Sequence, residues 1–225
     1  MNTIAAGNSA NNILTSQEII LARIQEALRI PAAHAAGKAP DGRGLASVPD
    51  SLDAQIQMFA QNAESLRAEF VVCGSLDEAV ARAESYGWKK IAWHKGELTG
   101  AVAARLPAAQ LETDGGYAVE DLESCDAAMT ECESLVAQTG SVLVSSAAAG
   151  GRALSVLPPH HLVLARRSQM VANLSAALQR VRNKYHNEWP SFLSFITGPS
   201  RTGDIERILV LGAHGPRKLT ILLLP

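Results

Sequence analysis

Residues 70–94 begin Phe70-Val71-Val72-Cys73-Gly74-Ser75-Leu76-Asp77-Glu78 and end Lys90-Ile91-Ala92-Trp93-His94. This stretch decides the fold class. Phe70 to Cys73 is a short apolar run of the length of a buried strand. Ser75-Leu76-Asp77-Glu78 has the spacing of a capping box, in which serine and glutamate satisfy each other's backbone amides at a helix start. Leu76, Ala79, Val80, Ala83 and Tyr86 then recur at helical spacing, and Gly87 stands where a left-handed C-terminal cap belongs. Lys90 to His94 is a second strand. A helix of ordinary length between two strands makes a β-α-β unit, whose strands are parallel.

Working outward, the N-terminal side is helical. Thr15-Ser16-Gln17-Glu18 is a capping box opening a helix with Ile20, Leu21, Ile24, Ala27 and Leu28 on one stripe, ended by Pro31. Residues 31–50 are rich in alanine, glycine and proline and read as a linker. From Ser51, Leu52, Ile56, Phe59, Ala63, Leu66 and Phe70 recur at steps of three and four, an amphipathic helix. The expected division is residues 1–50 as helix plus linker and 51–225 as an α/β domain.

On the other side, residues 96–124 are interrupted at Pro107 and at Gly115-Gly116 and show no clean period. Asp126 to Cys132 is expected to be a helix. Ser134 to Ala137 and Val142 to Ser145 flank Thr139-Gly140 as a hairpin. His161 to Ala165 is an apolar strand, and Ser168 is expected to cap a long helix over Met170, Leu174, Ala177, Leu178, Val181 and Tyr185. Its last turns carry Arg180, Arg182 and Lys184, favourable at the negative end of the helix dipole. Phe192 to Thr197 and Leu219 to Leu224 are further strands. Strands alternating with helices make an α/β fold with a mostly parallel sheet and flanking helices. In such sheets ligands sit where loops leave the carboxyl ends of strands.

Composition closes several routes. The chain has 225 residues, 20 basic and 22 acidic, for a net charge of −2, so no global basic field attracts nucleic acid or an anionic membrane. With 47% hydrophobic and 19% charged residues it is not a disordered chain. The longest apolar runs, such as Leu219 to Leu224, fall far short of the roughly 20 residues of a membrane helix. Met1 to Asn12 lack the basic and apolar regions of a secretory signal. Three cysteines, Cys73, Cys125 and Cys132, are one too few for a four-thiolate iron–sulfur cluster, and none form CxxC. If helical, Cys125 and Cys132 would stand about 10 Å apart, too far for a disulfide.

Three clusters carry chemistry. The first is Thr139-Gly140-Ser141 with Ser145, Ser146, Gly150, Gly151 and Arg152. Small residues let backbone approach an anion, and Arg152 can fork onto a carboxylate or phosphate. The same residues equally suit a plain hairpin end. The second is Thr197-Gly198-Pro199-Ser200-Arg201-Thr202-Gly203-Asp204-Ile205-Glu206, a strand-end loop with two carboxylates and an arginine. It suits anion binding or, alternatively, a capped helix start. The third is Gly212-Ala213-His214-Gly215-Pro216-Arg217. His214 there is either a general acid–base or a turn histidine, and Arg217 is a second anion grip. His160 and His161 are neighbours in a strand and point to opposite faces, which argues against a shared metal. Dinucleotide, Walker A, GxSxG and HExxH patterns are absent. Ser200, Asp204 and His214 supply the residue types of a triad, without an elbow.

The blocks Thr139-Gly140-Ser141-Val142-Leu143-Val144, Gly151-Arg152-Ala153-Leu154, Leu157-Pro158-Pro159-His160-His161, 197–206 and 212–217 occur in an order that resembles the lactate-utilisation protein C family, the single-domain form of the LUD domain. The resemblance is strongest over residues 130–220, loosens back to about residue 50, and does not reach the first 45. It implies an α/β Rossmann-like fold similar to the sugar-phosphate isomerases and CoA transferases. It also implies a cytoplasmic role in oxidising L-lactate to pyruvate alongside two iron–sulfur partner proteins. Any clusters would then lie in the partners, with no cofactor and no metal in this chain. Many relatives carry an acidic residue before Thr-Gly, where this chain has Gln138, so a carboxylate nucleophile at that place is not expected. The expected site holds a small carboxylate or phosphate. Thr139, Gly140, Ser141, Gly151, Arg152, Gly198, Pro199, Ser200, Thr202 and Arg217 would bind it, with Asp204, Glu206 and His214 as catalytic candidates. The alternative is a stand-alone enzyme on the same fold acting on a CoA, phosphate or folate-type ligand. A homodimer through the N-terminal helix is also expected as an option.

Overall fold

The computed structural model describes residues 15–29, 46–186, 188–202, 210–211 and 215–225. Asp204, Glu206 and His214 lie outside the described residues, as do Pro31 and the linker up to residue 45. The chain divides into two units, residues 1–44 and 45–225.

In the first unit α1 (Ser16–Arg29) forms as its sequence dictates. The Thr15 amide donates to Glu18 Oε2 at 2.7 Å, and the Glu18 amide donates back to Thr15 Oγ1 at 3.3 Å. No residue of this helix is buried.

The second unit runs α2 (Leu52–Ser65), β1 (Glu69–Val72), α3 (Leu76–Glu84), β2 (Lys90–Trp93), α4 (Glu97–Ala103), β3 (Ala109–Glu112), α5 (Val119–Glu123) and β4 (Ala127–Thr130). It continues with β5 (Ser134–Val136), β6 (Ser141–Ser145), β7 (His160–Arg166), β8 (Met170–Val171), α6 (Leu174–Tyr185), β9 (Leu193–Ile196), β10 (Arg201–Thr202), β11 (Val210–Leu211) and β12 (Lys218–Leu224). The main sheet has six strands in the order β1-β12-β7-β4-β2-β3, and every pairing in it is parallel. A second sheet, β8-β5-β6-β9, is mixed, and β10 pairs antiparallel with β11.

Side-chain alternation on the two central strands separates two cores. Leu162 and Leu164 of β7, with Leu222 and Leu224 of β12, pack with Val80, Ala83, Leu98 and Val102 of α3 and α4. Val163, Ala165, Leu219, Ile221 and Leu223 face the opposite way, onto Phe59 and Ala63 of α2 and Leu135, Val142 and Val144 of the second sheet. The far side of that second sheet is closed by Ala177 and Val181 of α6, against Val136 and Leu143. Burial on both faces explains why the central strands read as unbroken apolar runs.

The β-α-β reading of residues 70–94 holds, with Ser75 Oγ accepting from the Glu78 amide at 3.2 Å and Gly87 at φ +67°. The two strands are parallel members of one sheet but not neighbours, because β12, β7 and β4 lie between them.

Two expectations are corrected. Residues 127–130 are a strand, not a helix. Ala127, Ala128 and Met129 lie between β2 and β7, where small side chains buried on both faces leave no periodic signal to read. The long helix starts at Leu174, capped by Asn173 Oδ1, which accepts from the Ala176 amide at 3.0 Å. Ser168 does not cap it, because Met170 and Val171 are drawn into a parallel edge beside Leu135 and Val136.

The hairpin turn at Thr139-Gly140 forms, and Gly140 takes φ +65°. Asn62 Nδ2 of α2 donates to the carbonyls of Ala137 and Gln138 at 2.8 and 3.1 Å, tying the turn to that helix.

Candidate functional site

The crevice between the carboxyl ends of β2 and β4, where the connections diverge to opposite sides of the main sheet, is bridged by the protein itself. The Glu131 amide donates to His94 Nε2 at 3.1 Å, and Glu131 Oε1 accepts from the Leu98 amide at 2.7 Å at the start of α4. A carboxylate at a helix start is favourably placed against the helix dipole.

A cavity of about 240 Å³ opens instead at the amino ends of β7 and β12, on the face toward the second sheet. Ser155 and Val156 approach it before β7, His161 stands on β7, Gly215 and Pro216 precede β12, and Leu219 stands on β12. Ile196 to Ser200, leaving the carboxyl end of β9, complete it. In this lining only residues 196–200 leave the carboxyl end of a strand; a second cavity of about 270 Å³, bordered by Ser75, Glu97, Arg166 and Leu224, lies at the carboxyl ends of the main sheet. Among the described residues the lining of the first cavity holds no charged side chain.

His161 supplies the most constrained polar atom. The residue is 1% exposed, and its Nε2 lies 2.8 Å from Thr130 Oγ1 of β4. Its Nδ1 has no hydrogen-bond partner among the described residues. A buried polar atom without a partner is uncommon and marks a place where a ligand or water completes the network. Burial, assisted by the neighbouring His160, pushes the His161 pKa down to about 3, so the ring is neutral at ordinary pH. Its signal in the sequence was a polar residue placed within an otherwise apolar buried strand.

His160 points to the other face, as strand geometry requires. Tyr86 and Trp88 meet its ring edge-on at 4.8 and 4.9 Å, and its Nε2 lies 2.9 Å from Thr220 Oγ1. Glu69 anchors that side, accepting from Arg82, from Tyr86 OH at 2.9 Å and from Thr220 Oγ1 at 3.1 Å.

Of the residues singled out from the sequence, Gly198, Pro199 and Ser200 line the cavity. Thr139, Gly140 and Ser141 form the hairpin turn behind it, and Ser141 Oγ reaches Thr197 Oγ1 at 2.8 Å, coupling the two loops. Arg152 is exposed, donates to the Ser191 carbonyl at 3.3 Å and lies over the Phe192 ring, so it does not line the cavity. Gly151 takes φ +101° with open space around it. Arg217 is exposed at the start of β12, where its amide donates to the Pro159 carbonyl at 2.8 Å. The Thr202 backbone belongs to β10, and its side chain lies outside the described set.

Gly198 takes φ +85°, and a Cβ there would lie 2.7 Å from the Leu66 carbonyl oxygen. Gly198→Ala is expected to push residues 197–200 off α2, costing about 1–2 kcal/mol in backbone strain. Urea unfolding is expected to show this loss, and because residues 197–200 line the cavity, titration with pyruvate or L-lactate is expected to show weaker binding as well.

Three buried cysteines fall in three separate cores: Cys132 in the one beneath α2, Cys73 in the one beneath α3 and α4, and Cys125 beside Leu122 and Leu154. No helix among the described residues is long and apolar enough to cross a membrane.

Comparison with known proteins gives a consistent picture. Residues 89–224, more than half of the chain, match the family model described as the LUD domain. A "Lactate utilization protein C" of Shouchella clausii is 34% identical over 106 residues, covering 47% of this chain and 46% of that protein. The "Lactate utilization protein C" of Bacillus subtilis is 30% identical over 145 residues, covering 63% and 58%. This chain thus spans about half the length of the curated relatives it matches. A crystal structure of a DUF162 family protein from Deinococcus radiodurans superposes with a TM-score of 0.62 at 20% identity, covering 79% of this chain and all of that one, which shows a shared fold.

Proposed function

The chain belongs to the LUD domain family, and from that premise we propose that it is a component of a lactate-utilisation system that holds a small organic acid in the cavity at the amino ends of β7 and β12. The relatives' name supports the pathway. The observation that carries the ligand reading is the cavity of about 240 Å³, lined by His161, by Thr197 and Ser200 and by the backbone of Gly198 and Gly215. That size suits a molecule of a few heavy atoms, and the mix of apolar and hydroxyl groups suits a short-chain acid. The described lining carries no cation to offset the double charge of a phosphate, which favours the organic acid over the phosphate-type ligand.

Oxidising lactate to pyruvate removes two electrons and two protons. In this proposal the electrons pass to iron–sulfur partner proteins of the cytoplasm, and this chain binds and orients the acid.

The test is affinity co-purification of the tagged chain from its own host grown on lactate. Iron-bearing partners and lactate-dependent reduction of an added acceptor are expected in the eluate. A chain that elutes without partners and without lactate-dependent reduction would overturn the proposal.

A further inference from the structure

The helix α1 is amphipathic, yet none of its residues is buried. Ile20, Leu21, Ile24, Ala27 and Leu28 share one face, an arc of about 120° on a helix that turns about 100° per residue. Of these, Ile20, Ile24 and Leu28 are 56%, 50% and 78% exposed. A lone helix of 14 residues is only marginally stable in water, so an apolar face of this width calls for a cover. An anionic membrane surface is a poor fit, because Glu18 and Glu26 balance Arg23 and Arg29 and leave no excess of cations. The charges point elsewhere. Glu18 and Arg29 are 11 residues apart, about three turns, so they stand in line along one border of the apolar face, at its two ends.

We propose that α1 is a self-association helix, and that two copies of this chain pair antiparallel through its apolar face, with Glu18 of each copy opposite Arg29 of the other. In an antiparallel pair like borders meet, so the two ends carry reciprocal ion pairs. The register that aligns them sets the two-fold axis midway between positions 18 and 29, beside Ile24. The apolar side chains agree with that register. Ile24 meets Ile24 at the axis. Ala27 stands level with Ile20 of the other copy, a small residue against a large one. Leu21 stands level with Glu26, in the gap between Ile24 and Leu28, as a knob enters a hole. A parallel pair would put both Glu18 residues at one end and both Arg29 residues at the other, with no pairing between them. Helices of 14 residues are only about 21 Å long and bury less than a standard interface. The expected dimer is therefore weak, with a dissociation constant of about 10–100 µM.

The test is sedimentation velocity of the full chain over a concentration series that brackets this constant. A reversible monomer–dimer equilibrium is expected. Ile24→Glu sets two carboxylates at the axis and is expected to weaken association at least about tenfold. Glu18→Arg leaves a cation at both ends of the face, and Arg29→Glu leaves an anion at both. Each is expected to self-associate about 2–30-fold more weakly than wild type. A mixture of the two variants is expected to associate more tightly than either alone, by a similar factor. Any lost helix capping is the same in the mixture as in the separate variants, so this gain reads the pairing alone. Cysteine substitution reads the direction, since the three native thiols are buried. Ile24→Cys is expected to cross-link two copies on oxidation. Gln17→Cys is not, because two positions 17 would lie about 20 Å apart in this register. No residue of α1 is buried, so the α/β unit is expected to keep its wild-type urea unfolding in every variant, which separates lost pairing from lost fold. A chain that stays monomeric throughout the series, a dimer insensitive to Ile24→Glu, a mixture no tighter than its components, or equal cross-linking at positions 17 and 24 would each overturn the inference.

Discussion

Glu133→Ala is expected to destabilise the protein by about 2–6 kcal/mol, the sum for two hydroxyls left without their carboxylate acceptor. The Glu133 side chain is 2% exposed. Its Oε1 accepts from Ser145 Oγ at 2.6 Å and Tyr185 OH at 2.5 Å, and its Oε2 accepts from Lys184 Nζ at 2.8 Å. One carboxylate therefore joins the segment before β5, the end of β6 and the last turn of α6. Alanine leaves the serine and tyrosine hydroxyls without their acceptor in a buried place, at about 1–3 kcal/mol each. Lys184 is half exposed, so its released charge is hydrated and adds little. Against a typical total of about 5–15 kcal/mol, this loss is large.

The pH dependence has a definite sign. Burial pushes the Glu133 pKa up, but the hydrogen bonds from Lys184, Ser145 and Tyr185, with the Lys184 charge, outweigh it and hold the pKa below the ordinary value. A depressed carboxylate pKa stabilises the fold fully above the unfolded value of about 4.3, and the contribution is lost as pH falls through the folded value. Urea unfolding of wild type and Glu133→Gln at pH 7 and at about pH 3.5 is expected to show the gap between them narrowing in acid. A gap independent of pH would show that folding does not shift the Glu133 pKa.

Gly140→Val is the second large effect, and it reaches the cavity. The φ of +65° is unfavourable for a β-branched residue, and a Cβ would lie 2.8 Å from the Ala63 amide nitrogen and 2.9 Å from the Asn62 carbonyl carbon. Both are helix backbone and cannot swing aside. The hairpin must lift from α2, which breaks the two Asn62 side-chain bonds. Strain of about 1–2 kcal/mol and two lost hydrogen bonds at about 1 kcal/mol each give an expected loss of about 3–4 kcal/mol in urea unfolding. Ser141 moves with the turn, and with it Thr197 at the cavity, so weaker pyruvate binding is expected to accompany the loss of stability. Gly151→Ala serves as the control. It shares a positive φ but meets nothing within 4 Å, so only the backbone strain is expected.

Much of the fold was legible because its signals are local. The capping box at Ser75, the cap at Gly87, the apolar runs of β7 and β12 and the hairpin at Thr139-Gly140 each follow from a few consecutive residues, and each is present. Residues 127–130 misled because alanine suits a helix intrinsically, and only the crowding between β2 and β7 makes it a strand. Ser168 misled for a related reason, since the edge offered by β5 outcompetes an earlier helix start.

The site divides in the same way. The loop Gly198-Pro199-Ser200 was visible because glycine, proline and hydroxyls at a strand end are a local pattern, and those residues do line the cavity. Arg152 has the chemistry of an anion grip, yet its guanidinium is spent on the Ser191 carbonyl and the Phe192 ring. His161 and Glu133 carry the opposite lesson. Local sequence marks His161 only as a polar residue in an apolar strand and marks Glu133 not at all, and their roles come from Thr130, 31 positions away, and Tyr185, 52 positions away.

By itself, then, the sequence determined the α/β class, the parallel strands, the hairpin and the family blocks, because hydrophobic period and turn chemistry act over a few residues. Tertiary structure alone decided the strand order, the closure of the crevice at the β2 and β4 ends by His94 and Glu131, and the opening of a cavity at the other end of the central strands. The physical reason is burial. A histidine becomes a neutral strand-to-strand partner, and a glutamate a latch, only when distant strands and helices remove the water that would otherwise satisfy them.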